Sequence, residues 1–392
     1  MIKINPDWLH APFTQEIIAA LGTDTVRFVG GAVRDTLLGL PVTDIDAATL
    51  HKPQDTMRLL EKAGIRVIPT GLKHGTVTAV CDGASIEITT LRVDVETDGR
   101  HAEVAFTASW IEDAKRRDFT LNAIYASADG MLFDPFDGQT DLAAGFVKFI
   151  GDAGERIVED GLRIMRFFRF YALYGKGAID ATGLHACQRN VHMLQDLSVE
   201  RIRTELLKLL SAKDPFETID TMVEIGIFPA LGHGGITGKS LKSFMGSEKS
   251  LGQNSKPLLR LYLLFQPILE AKVLANWLKL SGKEYKFLKG IETALAYAFP
   301  DTDALRRRYI YKFGGKAAHV AAIWNGGDKA HSLLGVIADW TVPQFPIQGK
   351  DLLALGHSAG PGMGAALKKL EGGWVESDFS LSKQQLLMTM TR

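Results

Sequence analysis

Gly30 and Gly31 stand side by side, Arg34 follows three residues later, and Asp44 and Asp46 flank Ile45 ten residues beyond that. A glycine pair at the entry to a helix leaves backbone N–H groups open, and the helix dipole there favours an anion. Arg34 would add a fixed cation; the plainer reading is a tight strand–helix turn. On a strand, Asp44 and Asp46 would leave the same face. Two carboxylates so placed repel one another unless a cation lies between them. Mg²⁺ takes oxygen ligands and is commonly held by one or two carboxylates together with substrate phosphates. A D-x-D pair at a solvated strand end is the bland alternative. Glu87, between Ile86 and Ile88 in a β-rich run, would face away from its apolar neighbours. It is either an ordinary exposed residue or a third carboxylate of the same site. In KRRDFTLNA (115–123), Arg116 and Arg117 precede Asp118, with Asn122 four residues on. They make either a charged helix start or a cationic contact for a triphosphate or ribose.

EDGLRIMRFFRFYALYG (159–175) has helical spacing. Glu159, Asp160, Arg163 and Arg166 would fall within about a 120° arc of one helix. Its apolar residues point in nearly all directions, which predicts a buried helix. Glu159 and Arg163 at i,i+4 make an ordinary intrahelical ion pair on the structural reading. Arginines on an otherwise apolar helix must still find partners.

The elements that must position these groups change character along the chain. Up to about residue 150, short β-rich pieces (TVRFVG, GTVTAV, SIEITTL) alternate with helical patterns such as PQDTMRLLEKAG. TVRFVG predicts a strand running into Gly30–Gly31, and Ala32–Leu38 a short helix capped by Gly39 and stopped by Pro41. Beyond residue 150, helical spacing covers 154–176, 198–212, 214–226, 257–280 and 283–299. The Gly-, Ser- and Lys-rich stretch 231–257 predicts a mobile connection. We therefore expect three parts: a head over 1–150, a helical neck over 151–230, and a helical body and tail over 231–392.

The chain has 392 residues, with 45 basic and 45 acidic side chains. Net charge therefore gives no argument for a nucleic-acid partner, and basic groups would have to cluster locally. Two cysteines, Cys81 and Cys187, make neither a disulfide framework nor a metal cluster and suit a reducing cytosol. The start MIKINPDWLHAPF lacks the apolar core of a signal peptide. No apolar run approaches the roughly 20 residues that span a bilayer. A cytoplasmic protein without a membrane partner is expected.

GGAVRD, DID, KRRDFTLNA and EDGLRIMRFFRF, in this order and spacing, resemble the class II tRNA nucleotidyltransferase and poly(A) polymerase family. The match is close over 26–175 and looser over LSVERIRTELLKLL (197–210). The resemblance implies an α+β head of the polymerase-β-type nucleotidyltransferase fold, followed by a long all-α remainder. It also implies transfer of nucleotides from CTP and ATP to an RNA 3′ end with Mg²⁺. Carried over residue by residue, Gly31 and Arg34 would hold the nucleotide's phosphates. Asp44 and Asp46 would bind metal, Glu87 would complete the carboxylates, and Arg117 would contact the nucleotide. Asp160, Arg163, Arg166 and Arg169 would also contact it. TGLKHGTVTAV (70–80) resembles the CCA-adding branch. LRVDVETDGRHAEV (91–104) resembles the flexible loop of enzymes that add the terminal A. A complete CCA-adding activity on tRNA is the implied function. A poly(A) polymerase and an A-only enzyme stay open as alternatives, and so does an RNA-binding protein with a degenerate head.

The reaction so implied is attack of an RNA 3′-hydroxyl on the α-phosphate of a nucleoside triphosphate, with release of pyrophosphate. Two metals would activate the hydroxyl and neutralise the leaving oxygens. C and A each present an exocyclic amino donor beside a ring-nitrogen acceptor, which an aspartate and an arginine would satisfy. G and U present the reverse order. One Asp–Arg pair would thus select C and A without a nucleic-acid template. Toward the C-terminus, Gly360-Pro361-Gly362 opens a helical segment ending in Lys368-Lys369. That glycine-rich start suits either an RNA phosphate or a tight inter-helix turn. LRRRYIYKFGGK (305–316) is a basic–aromatic run that would either touch RNA or make a solvated helix face.

Overall fold

The computed structural model describes residues 2–98, 101–266 and 268–390. The chain divides into two units, Met1–Gly235 and Ile236–Arg392.

Among its described residues, the first unit has nine strands. They are β1 Val26–Val29, β2 Ile45–Thr49, β3 Arg66–Gly71, β4 Thr76–Cys81, β5 Ala84–Thr90, β6 Arg92–Asp98, β7 His101–Phe106, β8 Tyr125–Ser127 and β9 Leu132–Phe133. Seven of them form a mixed sheet in the order β3-β4-β5-β2-β1-β8-β9. The β2–β5 pair is parallel and the other pairs of that sheet are antiparallel. Alternation along β1 divides the core between two faces. Phe28 meets Trp8 edge-on at 5.1 Å, while Tyr125, in register with Val29, meets Trp110 at 5.7 Å. Strand β5 alternates likewise, with Ile86 and Ile88 buried and Glu87 exposed between them.

β6 and β7 pair as a separate two-stranded antiparallel sheet. This is where a flexible loop was expected over 91–104. Arg92, Val93 and Asp94 pair with Phe106, Ala105 and Val104, and after a register shift Thr97 and Asp98 pair with Ala102 and His101, so these residues meet backbone partners within a hairpin. Gly99 and Arg100, part of that expectation, lie outside the described residues.

Helices complete the unit, among them Gly31–Leu37, Ala153–Glu159, Leu162–Tyr174 and Val199–Leu209. Phe119 packs against Phe149 at 4.7 Å and Phe170 at 5.3 Å, and Phe149 stacks on Phe167 at 5.5 Å. These contacts join the segment after the arginine pair to the face of the Leu162–Tyr174 helix. That helix also packs on Val199–Leu209, where buried Arg169 meets buried Glu205 at 3.0 Å.

Among the described residues, the regular elements of the second unit are all helices. Small side chains (Ala317, Ala318, Ala321 and Ala322) let helices approach closely around Tyr309 and Leu333. The stretch expected as a mobile connection, 231–257, contains the helix Lys239–Ser250. Its apolar residues Leu241, Phe244 and Met245 recur at helical spacing and are buried, which outweighs the Gly/Ser/Lys composition. The basic run at 305–316 lies on the helix Asp303–Phe313. Arg306 pairs with Asp303, Arg307 with Asp378, and Arg308 donates to the Glu376 carbonyl. All three arginines thus have a partner within the unit. Gly360, at φ +145, precedes the helix Pro361–Glu376. Among the described residues no helix is long and apolar enough to cross a membrane.

Candidate active site

β1 runs into Gly30, whose φ of +75 is open to glycine at little cost and whose carbonyl starts the Gly31–Leu37 helix. A Cβ at Gly30 would stand 4.0 Å from both Arg117 Nη1 and Asp46 Oδ2, so the turn passes between a cation and a carboxylate. Asp46 is the second residue of β2, in register with Val29 on one side and Glu87 on the other. Asp44 was expected on the same strand, but β2 begins at Ile45 and Asp44 belongs to the segment before it. Both aspartates still border one cleft. Desolvation by the cleft walls raises the Asp46 carboxyl above the usual carboxylate range. Glu87 and Asp44 push it the same way, and Arg117 opposes them. Such a set of hard oxygen donors, kept from sharing charge comfortably, is what a divalent cation relieves. Among the described residues no group of three or more ligating side chains is close enough to hold a metal alone. Two carboxylates would need substrate oxygens to complete a shell.

The cleft has a volume of about 730 Å³ and a strongly cationic lining. Arg34, nearly buried, is held on several sides. Its Nε and Nη2 donate to Asp35 at 2.9 and 3.1 Å, Nη2 also to Tyr174 Oη at 2.7 Å, and Nη1 to Asn122 Oδ1 at 2.7 Å. Asn122 Nδ2 in turn donates to Asp118 at 3.0 Å, and Arg166 Nε donates to the other oxygen of Asp118 at 2.6 Å. Burial pushes Asp118 up, but Arg166, Asn122 and the Phe119 N–H bring it below the usual carboxylate range. This chain of bonds runs from the glycine-turn helix to the Leu162–Tyr174 helix. A second set fixes Arg117, which donates to Tyr125 Oη at 2.9 Å and to Asp113 at 3.3 Å, while Tyr125 donates to Asp113 at 2.7 Å. Burial would lower the Arg117 guanidinium, but Tyr125 and Asp113 hold it above its ordinary value, so it is a permanent cation.

On the opposite wall the expected single helix over 159–175 is broken. One helix ends at Glu159, Asp160 is extended at φ −153, and the next begins at Leu162 after Gly161. The common arc of Glu159, Asp160, Arg163 and Arg166 therefore does not exist. Asp160 instead caps the second helix, accepting the Leu162 N–H at 3.1 Å, and pairs with Arg201 at 2.8 Å. A Cβ at Gly161 would come within 3.1 Å of Met193, so the residue between the two helices has little room for a side chain. Arg163 donates to Glu159 and to the Arg156 carbonyl, so the ordinary ion pair between the two residues does form.

Residues 26–148 match the family model described as the poly A polymerase head domain. Residues 178–232 match the one described as a probable RNA and SrmB-binding site of polymerase A. The mitochondrial CCA tRNA nucleotidyltransferase 1 of Mus musculus is 36% identical over 373 residues, covering 92% of this chain and 85% of the mouse protein. The chain belongs to the CCA-adding tRNA nucleotidyltransferase family. A CCA-adding enzyme of Anoxybacillus flavithermus is 33% identical, with 92% of this chain and 91% of that one covered. The crystal structure of the Bacillus stearothermophilus CCA-adding enzyme in complex with CTP superposes with a TM-score of 0.75 at 30% identity, over 94% of both chains. Enzymes of this family are nucleotidyltransferases that generally use divalent metal ions. The mixed-sheet head followed by a helical region is the architecture they share.

In this CCA-adding family member, Gly31, Arg34, Asp44, Asp46, Arg117, Asp160, Arg163, Arg166 and Arg169 all border the one cleft. Glu87 does not; it stands beside Asp46 across the β2–β5 pair. Arg169 borders the cleft while its guanidinium is spent on Glu205 and the Phe170 ring, 4.3 Å away. Burial lowers Arg169 from its ordinary value, against the pull of Glu205. Reading the sequence missed Tyr174, Asn122 and Arg201 as partners of the expected residues. Arg201 lies in the loosely matching LSVERIR and was within reach of that resemblance. Nothing in local spacing marks Tyr174.

Proposed function

We propose that this chain adds CCA to the 3′ end of tRNA from CTP and ATP, without a nucleic-acid template. The observation that carries the reading is a single cleft bordered by Asp44 and Asp46 on one wall and by Arg34, Arg117, Asp160 and Arg163 around the rest. The RNA 3′-hydroxyl attacks the α-phosphorus, the bond to the bridging oxygen breaks, and pyrophosphate leaves. Mg²⁺ bound at Asp44 and Asp46 would activate the hydroxyl and offset the charge of the leaving oxygens. Glu87, opposite Asp46, raises the negative potential that favours a cation there. Gly30 and Gly31 give the triphosphate room at a helix start, and Arg34 and Arg117 are cations already fixed by their neighbours before substrate arrives. Arg166 stays with Asp118 and keeps the wall in place.

Nucleobase choice would be an exchange of partners. Asp160 now accepts from Arg201, and Arg163 now donates to Glu159. The amino group of C or A supplies Asp160 with a donor in place of Arg201. The adjacent ring nitrogen supplies Arg163 with an acceptor in place of Glu159. G and U offer the reverse order and would leave both groups unpaired, which costs a site most of its affinity for the wrong ligand. The curated relatives named here carry tRNA or CCA addition in their names, which favours tRNA over poly(A) ends. The cytosol is the compartment we propose, since Cys81 and Cys187 are both unpaired thiols. Cell fractionation tests it, because the mouse relative is mitochondrial.

Incubating tRNA that lacks its 3′ CCA with CTP, ATP or both tests the activity. Two added nucleotides with CTP alone and three with both are expected. Long A-tails from ATP alone would establish a poly(A) polymerase instead. An A-only enzyme would leave that tRNA unextended and act only on ends already carrying CC.

A further inference from the structure

Tyr174 sits in the last turn of the Leu162–Tyr174 helix, 140 residues from Arg34 in sequence. Its hydroxyl accepts from Arg34 Nη2 at 2.7 Å, and the Arg34 guanidinium carbon lies 4.3 Å from the centre of its ring. Phe170, one turn earlier, stacks on Tyr174 at 5.9 Å and lies 5.4 Å from the same guanidinium. A guanidinium carries five N–H bonds. Two of Arg34's point to Asp35, one to Asn122 and one to Tyr174. That leaves one, on Nη1, for a ligand in the cleft that Arg34 borders.

We propose that Tyr174 is a positioning residue for nucleotide binding, its hydroxyl and ring setting the orientation in which Arg34 offers that remaining N–H to a triphosphate. The inference rests on the reading of Arg34 as a phosphate contact. Asp35 grips one edge of the guanidinium and Asn122 takes one Nη1 hydrogen, both within its plane, which leaves its faces and the outer Nη2 hydrogen unheld. Tyr174 covers a face and takes the outer Nη2 hydrogen, so the plane has one setting. The hydroxyl keeps its proton at neutral pH, because burial raises it and the approach of Arg34 only partly offsets this. It therefore remains a neutral acceptor and does not compete with phosphate for the arginine's charge. The same helix carries Arg163 in its first turn, about 16 Å away at 1.5 Å per residue. One rigid element thus ties the base-reading wall to the phosphate arm.

Tyr174→Phe keeps the ring and removes the hydroxyl. Steady-state kinetics on truncated tRNA should show KM for CTP and for ATP raised by a common factor of roughly three to ten, the value of one hydrogen bond. We expect kcat, the preference for C and A over U and G, and Tm to be unchanged. In an Arg34→Ala background the same substitution should add nothing further to KM, because its route to the nucleotide is gone. Calorimetric titration with CTP gives an independent Kd for each variant. An unchanged KM in Tyr174→Phe beside a raised KM in Arg34→Ala overturns the positioning role and leaves Arg34 as a phosphate contact. Unchanged KM in Arg34→Ala itself overturns both. A further KM increase in the double variant, or a fall in Tm and kcat without a KM shift, assigns Tyr174 a role that does not pass through Arg34 and also overturns the proposal.

Discussion

Asp46 on β2 stands directly opposite Glu87 on the parallel strand β5, two carboxylates in register on a mixed sheet. Desolvation of Asp46, followed by the proximity of Glu87, raises its proton affinity in the folded chain. A carboxyl with a raised folded value destabilises the fold while it is ionised, and that penalty lifts as the pH falls. Asp46→Asn should therefore raise the Tm of the metal-free protein at neutral pH while abolishing nucleotide incorporation. Asp44→Ala should also abolish incorporation, with tRNA binding retained in both variants. Melting curves and gel assays of primer extension check this, and near wild-type turnover in either variant would falsify the metal assignment.

Arg163→Ala removes the donor proposed to face the ring nitrogen of C and A. We expect kcat/KM for CTP and ATP to fall by roughly 10- to 150-fold, the value of one charged hydrogen bond. Misincorporation of U or G should rise relative to C and A. Loss of the Glu159 pair alone predicts a different pattern, a lower Tm with nucleotide preference intact. The four kcat/KM values measured beside Tm separate the two.

Asp118 lies below the usual carboxylate range despite its burial, through Arg166, Asn122 and the Phe119 N–H. Its ionised form thus stabilises the fold above the unfolded-state value of about 4, and this contribution is lost as the pH falls through the lower folded value. Asp118→Asn should cost about 1–3 kcal/mol near neutrality, because Arg166 loses a charged partner. Its stability should fall less than that of the wild type between about pH 6 and about pH 3. Urea titrations across that range give both quantities, and parallel pH slopes would count against the pair.

The β6–β7 hairpin borders the cleft through Arg92. Shortening it should leave addition of the two C residues largely intact and impair the terminal A. Product lengths on a sequencing gel report each step, and equal loss of both would mark the hairpin as a general support.

Short-range periodicity already made much of this protein legible. β1 and the glycine turn, the helix from Gly31, and the opposed faces of Glu87 and its isoleucine neighbours all follow from alternation and turn chemistry within a few residues. The division into a mixed α/β head and a helical remainder followed from the same local patterns, and the family resemblance added the reaction. Local pattern failed over 159–175, whose spacing reads as one helix. The chain is instead extended at Asp160 and restarts as a helix at Leu162, with the Asp160 carboxylate taken by the Leu162 N–H and Arg201. Composition alone hid the Lys239–Ser250 helix, whose stability comes from burying one apolar face.

What only the tertiary structure decided is which polar or charged group each site residue meets. Arg34 with Tyr174 and Asn122, Asp160 with Arg201, and Arg169 with Glu205 are pairs separated by dozens of residues or more. The types of these residues state that each needs a partner, since burying a charge without one is costly. They do not state which, because many carboxylates and hydroxyls in the chain would serve equally well chemically. Chain topology makes the choice, by bringing the glycine-turn helix, the Thr120–Asn122 turn and the Leu162–Tyr174 helix to a single cleft.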